Sequence, residues 1–266
     1  MTYLHFHLVF LTPAIAGLCL WVCSKQAIPR PQRRGLLFIM VIAVAYTAPW
    51  DNYLVAQQVW RYGQERVLAV IGFVPVEEYL FFALQPLLTG LWVLGLRTTS
   101  VSKPAPEMEH SGTEQWIVRA VGGLAHVALG VAGIFLLQHP TTMYLGLILV
   151  WAAPMLLLQW MYGGPWLWTQ RRRVALGVTV PTIYLCVADR LAIEWGIWHI
   201  SQRYTVSTEI GGLPLEEALF FLITNVLVVQ GLLLAVRELE GSWARSPLYR
   251  TWRRLHGRIQ KAVTSR

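Results

Sequence analysis

The chain has 266 residues, of which 55% are hydrophobic and 14% charged, with a net charge of +8. A water-soluble domain of this length carries about 25% charged residues, so a soluble globular enzyme is excluded. A bilayer span needs roughly 17–25 apolar residues, and seven such runs leave little chain for anything else. The expectation is one all-α integral membrane domain.

The first run, 3–23, is followed by its charges, Lys25, Arg30, Arg33 and Arg34. A cleaved signal carries them in front, so this reads as a retained span with its N-terminus outside. The second run, 34–55, bears Asp51 near its end, flanked by Trp50 and Tyr53. The third, 75–97, opens on "PVEEYLFF", with Glu77 and Glu78 set against Tyr79, Phe81 and Phe82. A polar stretch rich in Pro, Ser and Gly follows at 98–114 and is expected to be a mobile linker. The fourth and fifth runs are 115–137 and 142–161. The sixth, 173–195, carries Asp189 and ends at Trp195, and the seventh, 214–237, opens on "PLEEALFF" with Glu216, Glu217, Phe220 and Phe221. A basic tail, 241–266, closes the chain. Cys19, Cys23 and Cys186 all fall inside spans and read as small packing residues.

Lysine and arginine fix the expected orientation. If seven spans alternate, 18 of these residues lie on one side, against Arg61, Arg66, Arg190 and Arg203 on the other. The positive-inside rule then puts the N-terminus outside and the C-terminus in the cytoplasm. The basic tail is explained by anionic lipid, so nucleic acid is not an expected partner.

The two acidic motifs are copies. Pro75, Glu77, Glu78, Leu80, Phe81 and Phe82 recur 139 residues later as Pro214, Glu216, Glu217, Leu219, Phe220 and Phe221, and Asp51 recurs 138 residues later as Asp189. The expected organisation is a three-span repeat over 1–97, a linker and extra span over 98–137, and a second three-span repeat over 138–240. An odd number of spans per repeat would invert the second copy. The extra span restores a parallel relation about an axis along the membrane normal, placing both acid sets at one depth toward the outer face.

Proline and acids in a first helical turn are ordinary helix-start residues. Adjacent glutamates point about 100° apart, so only one of each pair can face the bundle centre squarely. Yet the pattern recurs, each copy has its own Asp, and intramembrane acids cost roughly 2.5–3.5 kcal/mol each when deep. Arg190 is the one neighbour placed to neutralise Asp189, so some of the acids are expected to hold a proton at neutral pH. Acids poised as donor and acceptor in an apolar site suit general acid–base chemistry. Aromatics at the same level, Trp50, Tyr53, Trp60, Tyr79, Phe81, Phe82, Trp195 and Trp198, read either as an interfacial belt or as a pocket whose π faces stabilise a cation.

"PWDNYLV" at 49–55 with "PVEEYLFF", and "VADRLAIEWGIW" at 187–198 with "PLEEALFF", resemble the lycopene cyclase domain of the heterodimeric type. That type occurs as two small subunits in some bacteria and as a fused pair in archaea and fungi. The resemblance covers about residues 1–240. The second copy lacks the Trp-Asp-Asn and has Ala218 where the first has Tyr79.

The resemblance implies proton-initiated, non-redox closure of the ψ end groups of lycopene to β rings, an intramolecular lyase or isomerase reaction of carotenoid biosynthesis giving γ-carotene and β-carotene. It implies Glu77, Glu78, Glu216 and Glu217 as donor or acceptor candidates, with Asp51 and Asp189 as their partners. The expected substrate and cation pocket is Trp50, Tyr53, Tyr79, Phe81, Phe82, Trp195, Phe220 and Phe221. The expected partners are the polyene, membrane lipid and other carotenoid-pathway enzymes, and the expected location is the cell membrane.

No GxGxxG follows a strand, so no nucleotide cofactor is expected, and no metal. A retinal protein needs a lysine in a span, but the lysines are Lys25, Lys103 and Lys261. The histidines are scattered, unlike a di-iron hydroxylase, and a prenyltransferase's Asp-rich motif is missing. The alternatives kept open are a proton-coupled membrane carrier and a cyclase acting on C50 carotenoids.

Overall fold

The computed structural model of the chain describes residues 1–25, 27–96 and 112–245. Most of them are helical, because a chain in hydrocarbon must satisfy its backbone polar groups internally. Among the described residues seven helices are long and apolar enough to cross a membrane. They are α1 (Tyr3–Lys25), α2 (Arg30–Ala56), α3 (Val76–Leu96), α4 (Gly112–Leu136), α5 (Met143–Thr169), α6 (Arg171–Glu194) and α7 (Leu215–Arg245).

Helix ends differ from the hydropathy reading wherever polar residues continue a helix. α2 starts at Arg30, set by Pro29 before it and Pro31 in its first turn. α5 runs on past 161 to Thr169 through a non-helical Gly163, and α7 continues to Arg245. α4 begins at Gly112, so the end of the expected linker is helical; residues 98–111 lie outside the described residues.

α3 and α7, which open on the Glu-Glu motifs, are the central helices, with 67% of each span's apolar window buried. The corresponding figure for α4 is 11%, and α4 packs chiefly on α5. Gly122 makes that contact close: a Cβ there would lie 1.9 Å from the Trp160 indole nitrogen. A buried polar knot joins α3, α6 and α7. Gln85 and Thr89 donate to Asn225 Oδ1 at 2.7 and 2.6 Å, and Asn225 Nδ2 donates to Thr182 at 3.0 Å. Of the cysteines, Cys19 and Cys186 are half-buried but Cys23 is exposed, so it is not a packing residue.

The spans are helical as expected, but the chain is not all-α: among the described residues there are also six short strands. β1 (Trp60–Tyr62) pairs antiparallel with β4 (Trp198–Ile200), while β2 (Val70–Ile71) with β3 (Val74–Pro75), and β5 (Glu209–Ile210) with β6 (Leu213–Pro214), form hairpins. Strands of two or three residues are too short to show a period in the sequence. Their turns do have a local cause. Gly211 and Gly212 sit at φ +61° and +82°, and Gly72 at +68°, as two-residue hairpin turns require. Each hairpin leads straight into a central helix and so aims that helix's first turn.

Candidate active site

The chain just before each hairpin fixes the following glutamate pair by a backbone bond to the first member. Glu77 Oε1 accepts the Leu68 N–H at 2.8 Å, and Glu216 Oε1 accepts the Val206 N–H at 2.7 Å. The second member of each pair, one residue round the helix, points inward. Glu78 Oε2 accepts from the Tyr3 hydroxyl at 2.7 Å and the Tyr62 hydroxyl at 3.0 Å. Glu217 stands beside the buried Tyr144 of α5. Burial, and then the neighbouring Glu78, push the Tyr62 hydroxyl well above its usual range, so it remains a donor at ordinary pH.

Asp189 on α6 accepts the Trp198 indole N–H at 2.9 Å. Asp51 on α2 is fully buried, and neither of its oxygens has a hydrogen-bond partner. It lies within electrostatic reach of Glu78 and Glu217. An unpartnered buried carboxyl is rare because its desolvation is not offset. Arg190 does not neutralise this group of acids. One residue round α6 from Asp189, it is exposed, with its guanidinium against Gly212.

Glu78, Asp189 and Glu217 line one cavity, closed by the rings of Tyr3, Phe6, Trp60, Tyr62, Phe81, Trp198, Phe220 and Phe221. All six carboxyls singled out in the sequence are buried, but Asp51, Glu77 and Glu216 do not line this cavity. Of the expected pocket rings, Phe81, Phe220 and Phe221 line the acid cavity, and Phe82 lines an adjoining one. Trp50 sits one layer back, stacked on Trp151 at 4.8 Å and on Phe220 at 5.7 Å. Tyr79 faces outward and is held by Asn52 and the Ile71 carbonyl. Tyr53 and Trp195 are 48% and 39% exposed. None of these three lines either cavity: Tyr53 is on an exposed face of α2, Tyr79 is tied to the β2–β3 hairpin, and Trp195 lies just past the end of α6.

The sequence reading missed Tyr3, Phe6, Tyr62, Tyr144 and His7. Tyr3 and Tyr144 carry a usable signal: the offset of 141 that maps Pro13 on Pro154 also maps Tyr3 on Tyr144. His7 carries none. It lies in a π-helical turn, His7–Leu11, 1% exposed, with both ring nitrogens unpartnered and its ring stacked on Phe81 at 6.2 Å. Such turns recur at functional sites.

A family model described as Lycopene cyclase matches residues 1–94 and 133–232. A lycopene beta-cyclase of Halobacterium salinarum is 41% identical over 233 residues, covering 88% of this chain and 95% of that protein. Bifunctional lycopene cyclase/phytoene synthases of Aspergillus niger and Phycomyces blakesleeanus are 34% and 36% identical, over 93% and 86% of this chain but only 43% and 38% of theirs. No solved structure matches the chain significantly. With the family model spanning most of the chain and the archaeal relative matching nearly end to end, this chain belongs to the lycopene cyclase family.

Proposed function

We propose that the chain is a lycopene β-cyclase that closes ψ end groups by adding one proton and removing another. The observation that carries this reading is the buried set Glu78, Asp189 and Glu217 lining a ring-walled cavity, with the buried Asp51 within electrostatic reach of Glu78 and Glu217. The hydrogen bonds these acids accept come from phenols and an indole. A protonated carboxyl delivers its proton to the terminal alkene of the end group. The resulting tertiary cation is attacked by the neighbouring double bond, which forms the six-membered ring and moves the positive charge to the ring. A carboxylate then takes the proton from the ring-junction carbon, leaving the β double bond. One proton enters and one leaves, so the product is an isomer and no electrons are exchanged. The faces of Phe81, Phe220 and Trp198 supply π density to the cation, and the cavity keeps out the water that would trap it. Glu77 and Glu216, tied to backbone amides, hold the hairpins that aim Glu78 and Glu217.

The two halves act as parallel repeats about an axis along the membrane normal. Equivalent bonds support this. Tyr46 donates to the Trp151 carbonyl at 2.7 Å, and Tyr184 to the Phe10 carbonyl at 2.6 Å. The β1–β4 register, Trp60↔Ile200 and Tyr62↔Trp198, maps onto itself under the 138-residue offset. The match to the family model also passes over residues 95–132, which include most of α4. The charge asymmetry supports an outside N-terminus, a cytoplasmic C-terminus and a cell-membrane location, with lipid and other carotenoid-pathway enzymes as neighbours.

The test is expression in a lycopene-accumulating bacterial host with chromatography of the pigments. γ-Carotene and β-carotene are expected. Unchanged lycopene beside a well-inserted protein would overturn the reading, and proton-driven uptake with unchanged pigment would favour a carrier.

A further inference from the structure

The acid cavity is small, and the substrate proposed above is a long, stiff polyene, so all of it beyond one end group must lie elsewhere. A second cavity supplies the place. It is bounded by α2, α3, α5 and α7 and shares Phe81 and Phe220 with the acid cavity. Its wall is mostly hydrocarbon, including Ile39, Ile42, Ala43, Met155, Leu227 and Val228. At one end, α2 and α5 are fastened by Tyr46 to the Trp151 carbonyl at 2.7 Å and Trp50 to the Leu147 carbonyl at 3.2 Å. One to two turns further from the acids, Ile42, Ala43 and Met155 are only half-buried, so the cavity reaches toward the lipid face between these two helices.

We propose that this channel is the polyene subsite. The conjugated chain enters from the bilayer between α2 and α5 with one end group leading. That end group passes between Phe81 and Phe220 into the acid cavity, while the chain stays in the channel. The inference rests on the cyclase reading above and adds where the substrate lies and which helices admit it. Three features favour a polyene over another apolar occupant: adjacency to the proton-transfer site across the shared rings of Phe81 and Phe220, an apolar wall, and an opening at membrane depth rather than toward water. It follows that one end group is processed per docking, and that the second ring needs release and re-entry by the other end.

The test uses the full chain in lycopene-containing vesicles. Ala43→Trp and Met155→Trp place bulk in the channel without touching the acids, whereas Phe38→Trp, on the exposed face of α2, is the control. Ring formation is expected to fall at least tenfold in the two channel variants and to stay near wild type in the control. To separate plugging from misfolding, Met155→Cys is made in a chain whose Cys19, Cys23 and Cys186 are replaced by alanine. It is folded first and then labelled with a bulky apolar thiol reagent. Labelling is expected to stop turnover, and lycopene is expected to slow labelling. Channel variants, or labelled protein, that cyclise lycopene at the wild-type rate would overturn the channel while leaving the cyclase reading intact. A wild-type chain that forms no ring would overturn both.

Discussion

Glu77 and Glu78 are adjacent in sequence, yet the structure gives them separable work, and the separation can be measured. Glu78→Gln keeps the shape of the side chain and an oxygen to accept from Tyr3 and Tyr62, so the fold should survive. What it loses is the exchangeable proton or its acceptor. A positioned acid or base contributes roughly 10²–10⁴-fold to rate, which corresponds to about 3–5 kcal/mol of barrier. Glu77→Gln also keeps an oxygen for the Leu68 N–H and should retain most of the cyclase rate. Glu77→Leu removes that acceptor and should cost about 1–3 kcal/mol of stability, with activity per folded molecule largely kept. The assay is initial ring formation in lycopene-loaded vesicles, normalised to folded protein, beside thermal unfolding in detergent. A Glu78→Gln protein with wild-type turnover, or a Glu77→Gln protein that is folded but inert, would refute the division of roles.

Asp51→Leu replaces a buried carboxyl that has no hydrogen-bond partner. It should raise stability by about 1–3 kcal/mol while cutting ring formation at least a hundredfold, read by melting temperature and product yield on one preparation. Asn225→Leu strips the partners of Gln85, Thr89 and Thr182 and should lower stability by about 1–3 kcal/mol, seen in the same melt. A reporter active only in the cytoplasm, fused after Arg266, should be active, whereas an inactive fusion to a cyclising chain would reverse the proposed orientation.

The spans were legible because hydrocarbon imposes a length and a composition that a sequence shows directly. The six carboxyls were legible because charge in an apolar run is conspicuous, and their duplication more so. The roles within each Glu-Glu pair were not. They depend on the short hairpins before α3 and α7, whose strands carry no periodic signal, and on Leu68 and Val206 offering their amides. Only half of the expected pocket rings line the two cavities, for a similar reason. Tyr53 and Trp195 sit near the acids along the chain, but Tyr53 is on an exposed side of α2 and Trp195 is in the turn after α6. Tyr3 and Tyr144 are remote in sequence and reach the acids only through helix packing. His7 looked like one scattered histidine among seven because nothing local marks its π-helical turn.

The central claim is that buried carboxyls both give and take the protons of ring closure. It is tested most directly by a single-turnover reaction in heavy water, with folded protein in excess over lycopene and equilibrated beforehand so that every proton held by a carboxyl is exchanged for a deuteron. The account predicts one deuteron in the first β ring formed, on the ring carbon that was the protonated alkene terminus, and a slower reaction than in ordinary water. A first ring closed without label would mean that the initiating proton does not come from these groups, and would contradict the account.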